Sequence, residues 1–199
     1  MIYTLSGFLG LSSDWDFLPW PHAAWTTEAP AGPEDVLIGY SMGGRLALQL
    51  LETQRFAKAV IVSAGLNAPD EERKVRDEVW ARRFESEEWQ TLMTAWNAQP
   101  VFGGHSVERR EADYDRAELA RQVRDWSPAV LPPPRLESIE TPLLWVAGER
   151  DAKYVTVANE AVSRLPQAEL WICRDAGHRV PWEQPRAFTT RLRAFLDLH

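Results

Sequence analysis

Five short runs of apolar and β-branched residues, at 2–5, 36–40, 59–63, 143–147 and 169–173, punctuate a chain that elsewhere mixes charges with apolar residues. Each run is bounded by Gly, Pro, Ser or charged residues, the pattern of short strands buried on both faces. Helical spacing appears at 43–52, 155–165 and 185–198, so strands and helices alternate. That order predicts an α/β fold with an open, doubly wound, mostly parallel sheet. Residues 67–134 break the rhythm. They are dense in Glu, Arg and Trp, with apolar positions at Val75, Val79, Trp80 and Phe84, then Trp89, Leu92, Met93 and Trp96, a helical pattern. The division predicted is a core of residues 1–66 and 135–199 interrupted by a helical lid at 67–134. The lid closes on Leu131-Pro132-Pro133-Pro134, a stiff extended connector. Residues 14–33 carry several prolines and only a weak helix signal, and no strand is predicted there.

Between the second run and the helix that follows it stands Gly39-Tyr40-Ser41-Met42-Gly43. This is a G-x-S-x-G turn in a strand-turn-helix setting, where the serine is held in a strained conformation with its hydroxyl clear of the backbone. A serine hydroxyl needs a base to take its proton and a carboxylate to orient that base. In such folds the order along the chain is Ser, acid, His. The run 143–147 leads into Gly148-Glu149-Arg150-Asp151, and the run 169–173 into Asp175-Ala176-Gly177-His178. Both turns fall at strand C-termini, where open α/β sheets gather ligands. The candidate triad is therefore Ser41, Asp151 and His178. Glu149 and Asp175 compete for the role of acid; His22, His105 and His199 lack a core strand before them. An oxyanion formed during reaction needs two N–H donors. Met42, directly after the serine, supplies one, and Phe8 in the glycine-flanked loop Ser6-Gly7-Phe8-Leu9-Gly10 is the candidate for the other.

Composition narrows the classes further. The chain has 199 residues, 45% hydrophobic and 26% charged, with a net charge of −7 and both signs interleaved. Nothing favours a polyanion, so nucleic acid is not an expected partner. No stretch approaches the roughly 20 apolar residues that span a bilayer, and the N-terminus lacks a signal-peptide pattern. No membrane partner and a cytoplasmic location are expected. The single Cys173 lies in an apolar run and reads as a strand residue. The histidines have no ligand-like spacing with one another or with Cys173, so no metal and no organic cofactor is expected. Arg45 follows Ser41 by four positions, which puts it on the same helix face near the positive helix end, suited to a substrate carboxylate. Arg73, Arg76, Arg109 and Arg110 are further cationic candidates, weighed against ordinary solvated ion pairs.

With these residues in view, the chain resembles the α/β-hydrolase superfamily, and within it the 2-succinyl-6-hydroxy-2,4-cyclohexadiene-1-carboxylate synthases of menaquinone and phylloquinone biosynthesis. The resemblance is carried by Gly39-Tyr40-Ser41-Met42-Gly43-Gly44-Arg45-Leu46-Ala47-Leu48, by Trp96-Asn97-Ala98-Gln99-Pro100-Val101-Phe102, by Gly148-Glu149-Arg150-Asp151-Ala152-Lys153-Tyr154 and by Ala176-Gly177-His178. It implies an α/β-hydrolase fold with a truncated sheet and a helical lid, and a lyase that eliminates pyruvate from a small polycarboxylate. It further implies substrate contacts from Tyr40, Arg45, Arg73, Trp96, Gln99 and Arg110. Two departures stand out. Ser6-Gly7 occupies the place where the family carries His-Gly, and one or two edge strands and a helix of the usual fold are expected to be missing. Unpaired sheet edges make a homo-oligomer a candidate assembly. A carboxylesterase or thioesterase on the same triad is the competing enzyme, and a hydrolase-like binding module the non-enzymatic alternative.

Overall fold

The computed structural model describes residues 1–27 and 32–198. The chain folds as two compact units, Met1–Gly65 with Pro134–His199 and Leu66–Pro133. In the first unit, β1 (Ile2–Leu5), β2 (His22–Ala24), β3 (Val36–Tyr40), β4 (Lys58–Val62), β5 (Leu143–Gly148) and β6 (Ala168–Cys173) form one sheet in the order β2-β1-β3-β4-β5-β6. Every neighbouring pair is parallel. The helices of this unit are α1 (Met42–Leu51), α5 (Ala152–Arg164), α6 (Val180–Glu183) and α7 (Pro185–Leu196). This is the α/β-hydrolase fold.

The alternation of side chains along buried parallel strands sets both layers. Ile38, Tyr40, Val60, Val62, Leu144 and Val146 join Trp15, Phe188, Leu192 and Phe195 in one apolar cluster, which seats α7. Leu37, Ala59, Ile61, Leu143 and Trp145, at the intervening positions, are fully or almost fully buried as well. α1 and α5 also pack against the sheet. β5 is buried along its whole length, which explains why it reads as an unbroken apolar run. Cys173 ends β6 in the core, and burial pushes its thiol up to about 11, so it is a packing residue with little thiolate at neutral pH.

The edge strand β2 corrects the reading of residues 14–33: a single 3-10 turn, Ser12–Trp15, precedes a strand that the sequence pattern does not announce. Its backbone runs parallel to β1, and the N–H of Trp25 continues the ladder to the Thr4 carbonyl at 2.9 Å. Pairing outweighs propensity in a three-residue segment flanked by β1.

The second unit holds α2 (Glu71–Ser86), α3 (Trp89–Asn97) and α4 (Arg116–Asp125). Capping is explicit at all three N-termini. Asp70 accepts from the Arg73 N–H, Glu88 from those of Gln90 and Thr91, and Asp115 from those of Ala117 and Glu118. α2 and α4 are tied by Arg124, which reaches Glu78 at 2.7 Å and Glu85 at 2.6 Å; with Arg82 it holds Glu78 down at about 2. The apolar stripe expected on α2 is only half used. Ala81 and Phe84 are buried, whereas Val75 and Val79 are 66% and 54% exposed. Among the described residues no helix is long and apolar enough to cross a membrane, and no group of three or more His, Cys, Asp or Glu could hold a metal ion.

Candidate functional site

Ser41 caps α1 with φ 52° and ψ −111°, a left-handed backbone that costs a non-glycine residue about 1–3 kcal/mol and persists only where the surroundings enforce it. They do so here. The Ser41 N–H bonds to the Val62 carbonyl at 2.8 Å, and its own carbonyl accepts the Arg45 N–H at 3.1 Å. A Cβ on Gly39 would lie 2.8 Å from the Ala47 side chain, the Gly43 carbonyl oxygen and the Gly44 Cα. One on Gly43 would lie 2.2 Å from the Leu5 carbonyl oxygen. Only glycines let strand, turn and helix approach this closely.

The candidate acid and base arrive on two turns that share hydrogen bonds. Asp151 caps α5 just beyond β5, with its N–H on the Gly148 carbonyl. His178 follows β6. The Glu149 N–H donates to Cys173 and the Arg150 N–H to Ala176, at 2.9 and 2.8 Å, so the two turns share backbone bonds. His178 Nδ1 stands 2.6 Å from Asp151 Oδ2, and its Nε2 stands 3.1 Å from Ser41 Oγ. With the ring proton on Nδ1, the imidazole donates to the carboxylate and accepts from the serine hydroxyl. The ring is almost wholly buried, and Tyr154 and Tyr40 pack 4.5 and 5.7 Å from it, centroid to centroid. The sequence pattern assigns Tyr154 no role of its own, although its place three residues after the acid, in the first turn of α5, puts it beside the site. Of the competing candidates for the acid, Glu149 accepts the Asp175 N–H, and Asp175 pairs with Arg150. His22 is held by Trp20 and faces Asp16; His105 belongs to the helical unit, and His199 lies outside the described residues.

Tyr40 is buried against Trp182 in an edge-on contact at 4.7 Å, and burial pushes its phenol well above the ordinary tyrosine range while Arg179, hydrogen-bonded to it, pulls the other way. Arg45 lies in the first turn of α1 and is 9% exposed. Met42 opens that helix, so its N–H belongs to the positive helix end. The loop carrying Phe8 closes tightly, with the Gly10 N–H on the Gly7 carbonyl and Leu9 at φ 62°. A Cβ on Gly7 would be 3.4 Å from the Ser41 Cβ, so this loop runs beside the elbow.

Ser6, in the place where the resemblance leads one to expect histidine, accepts the indole N–H of Trp15 at 3.0 Å. Trp15 is wholly buried. Ser6→Ala would strand that donor, and is expected to lower stability by about 1–3 kcal/mol, read from the midpoint of urea unfolding, whereas a shift under about 0.3 kcal/mol would show the bond to be idle.

The remaining candidates belong to the helical unit. Arg73 Nε bonds both oxygens of the buried Asp77, at 2.7 and 2.9 Å. Arg110 forms a fork with Asp113 at 3.0 and 2.7 Å and is largely exposed. Trp96 packs among Trp80, Phe84 and Phe102, and the Gln99 amide donates to the Trp96 carbonyl.

Comparison with known proteins bears on the fold and the family. A 2-succinyl-6-hydroxy-2,4-cyclohexadiene-1-carboxylate synthase of Serratia proteamaculans is 32% identical over 175 residues, covering 80% of this chain and 67% of the relative. The protein of the same name from Klebsiella pneumoniae is 30% identical, with the same coverage. The chain thus spans about two thirds of the length of these relatives. The solved structure of MenH from S. aureus superposes with a TM-score of 0.83 at 21% identity, over 98% of this chain and 92% of that one. The sequence pattern of the alpha/beta hydrolase family matches residues 1–191, almost the whole chain, and the chain belongs to that family.

Proposed function

We propose that this protein is a carbon-oxygen lyase that eliminates pyruvate from a succinylated cyclohexene carboxylate, the step that supplies 2-succinyl-6-hydroxy-2,4-cyclohexadiene-1-carboxylate to menaquinone or phylloquinone synthesis. The observation that carries it is the Asp151–His178–Ser41 relay, in a chain whose similar relatives bear that synthase name. His178 serves as base toward Ser41, and Asp151 keeps the proton on Nδ1 and stabilises the imidazolium once it forms. The Ser41 oxygen then takes the proton from the ring carbon next to the succinyl carbonyl. The electron pair moves onto that carbonyl oxygen, where the N–H groups of Met42 and Phe8 hold the enolate. As the pair returns to close a ring double bond, the carbon–oxygen bond to the enolpyruvyl group breaks. The group leaves as the enolate of pyruvate and takes the proton held on His178, which returns the imidazole to its neutral form. No atom is left on the protein, so the cycle needs no acyl-enzyme and no water.

Arg45 is assigned to a substrate carboxylate, which its bidentate fork suits. Tyr40 acts from behind the relay by packing. For Arg73, Trp96, Gln99 and Arg110, substrate contact rests on the resemblance, and both arginines already hold an aspartate of their own unit. The reading places the protein in the cytoplasm with a soluble polycarboxylate as its small-molecule partner; a homo-oligomer fits the open edges of the sheet.

The test is release of pyruvate from the isochorismate-derived succinyl adduct, followed with lactate dehydrogenase. Release by the wild type supports the proposal, and none from authentic adduct removes it. Arg45→Ala is expected to raise KM by about 10- to 100-fold; an unchanged KM would take Arg45 out of the binding site. The competing reading is an esterase or thioesterase, favoured by the 3.1 Å Ser41–His178 contact, which equally suits acyl transfer. Turnover of short acyl esters indifferent to Arg45→Ala would decide for it.

A further inference from the structure

The turn that carries His178 is held by a group outside the triad. Glu183, at the end of α6, spans that turn with one carboxylate: the Gly177 N–H donates to Oε2 at 2.8 Å and the Arg179 N–H to Oε1 at 2.9 Å. These are the two peptide N–H groups on either side of His178, and each oxygen takes one. The same short helix grips the site at two further points. The Trp182 indole N–H donates to the Asp14 carbonyl at 2.9 Å, and its ring meets Tyr40, the residue before Ser41, edge-on at 4.7 Å. Thus one helical turn reaches the loop after β1, the strand that ends in the nucleophile and the turn that bears the base.

The geometry points to Glu183 as a positioning residue that fixes the backbone of His178 so that Nε2 faces the Ser41 hydroxyl, a role that rests on the proposed relay but not on the identity of the substrate. Charge matters as well as length. A carboxylate offers two acceptors to two donors, and charge-assisted bonds of this kind are about twice as strong as neutral ones. A glutamine keeps one acceptor and turns an NH₂ toward the second peptide N–H, donor against donor. An aspartate keeps the charge but falls short by one methylene. Gly177 leaves room for the clamp, because a Cβ there would come within 3.2 Å of both carboxylate oxygens.

The experiment compares Glu183→Gln and Glu183→Asp with the wild type in three readouts. Pyruvate release is expected to show kcat lowered at least tenfold with KM within twofold, per folded molecule as counted by near-UV circular dichroism. The rate at which a fluorophosphonate labels Ser41 is expected to fall by a similar factor, and this readout does not depend on the natural substrate. Should the wild type release no pyruvate yet lose phosphonate reactivity on Glu183→Gln, the lyase proposal falls and the positioning role stands. Labelling and kcat within twofold of wild type in a folded Glu183→Gln protein would overturn the positioning role. If neither variant folds, hydrogen exchange of the wild type decides: the Gly177 and Arg179 amides should be protected at least a hundredfold, and exchange at the free-peptide rate would refute the clamp.

Discussion

Ser41→Ala is expected to lower kcat for pyruvate release by about a thousandfold or more while leaving the fold in place. Its backbone duties survive the change, since the bonds from its N–H to Val62 and from the Arg45 N–H to its carbonyl do not use the side chain. What disappears is the oxygen 3.1 Å from His178 Nε2, and with it the atom that in the proposed relay passes a proton between substrate and imidazole. KM should change little if Arg45 and the loop after β1 do the binding. The measurement is steady-state pyruvate release at several enzyme concentrations, with thermal unfolding in parallel. A folded Ser41→Ala protein that keeps more than a tenth of wild-type kcat would mean that His178 acts on the substrate directly, and the relay would need redrawing.

The second large effect is structural. Gly148→Ala would put a Cβ 2.0 Å from the Gly177 carbonyl oxygen and 2.5 Å from that of Ala176. These are backbone atoms of the turn that bears His178, so no side chain can swing aside to relieve the overlap. Overpacking against backbone at a buried strand end is expected to cost about 3 kcal/mol, or roughly 6–12 °C in Tm for a domain of this size. Because the neighbouring Glu149 and Arg150 bond the His178 turn through their N–H groups, relief comes only by parting Asp151 from His178. Activity at 25 °C should therefore fall by tenfold or more even where the protein remains folded. A Tm within 2 °C of wild type would show that the two turns are looser than their hydrogen bonds indicate.

Legibility followed physics element by element. β3, β4 and β5 were readable because strands covered on both faces have no polar positions to hide their runs. The elbow was readable because its glycines answer to steric needs that no other residue meets, as the 2.2 Å approach at Gly43 shows. β2 was not readable: His22–Ala24 is mostly exposed, three residues long and held by pairing with β1, which leaves no period in the sequence. Val75 and Val79 misled for the opposite reason, since helical spacing reports a stripe without saying whether anything covers it. Glu183 left no signature because it acts on peptide N–H groups, which look alike in every sequence. Its one legible trait was an acidic residue five positions beyond the histidine. The Trp15–Ser6 bond could not be foreseen either, since an indole and a hydroxyl nine positions apart meet only through the loop between them.

The parallel sheet also has a consequence for how the protein comes into being. Serine and imidazole stand 137 positions apart, and the helical unit is made between β4 and β5. A ribosome delivers the elbow long before the segment beyond β6 has left the exit tunnel. A nascent chain can lay down its first four strands, but under the proposed relay it stays chemically silent until the turn bearing His178 docks, a timing that release of stalled translation complexes could follow directly.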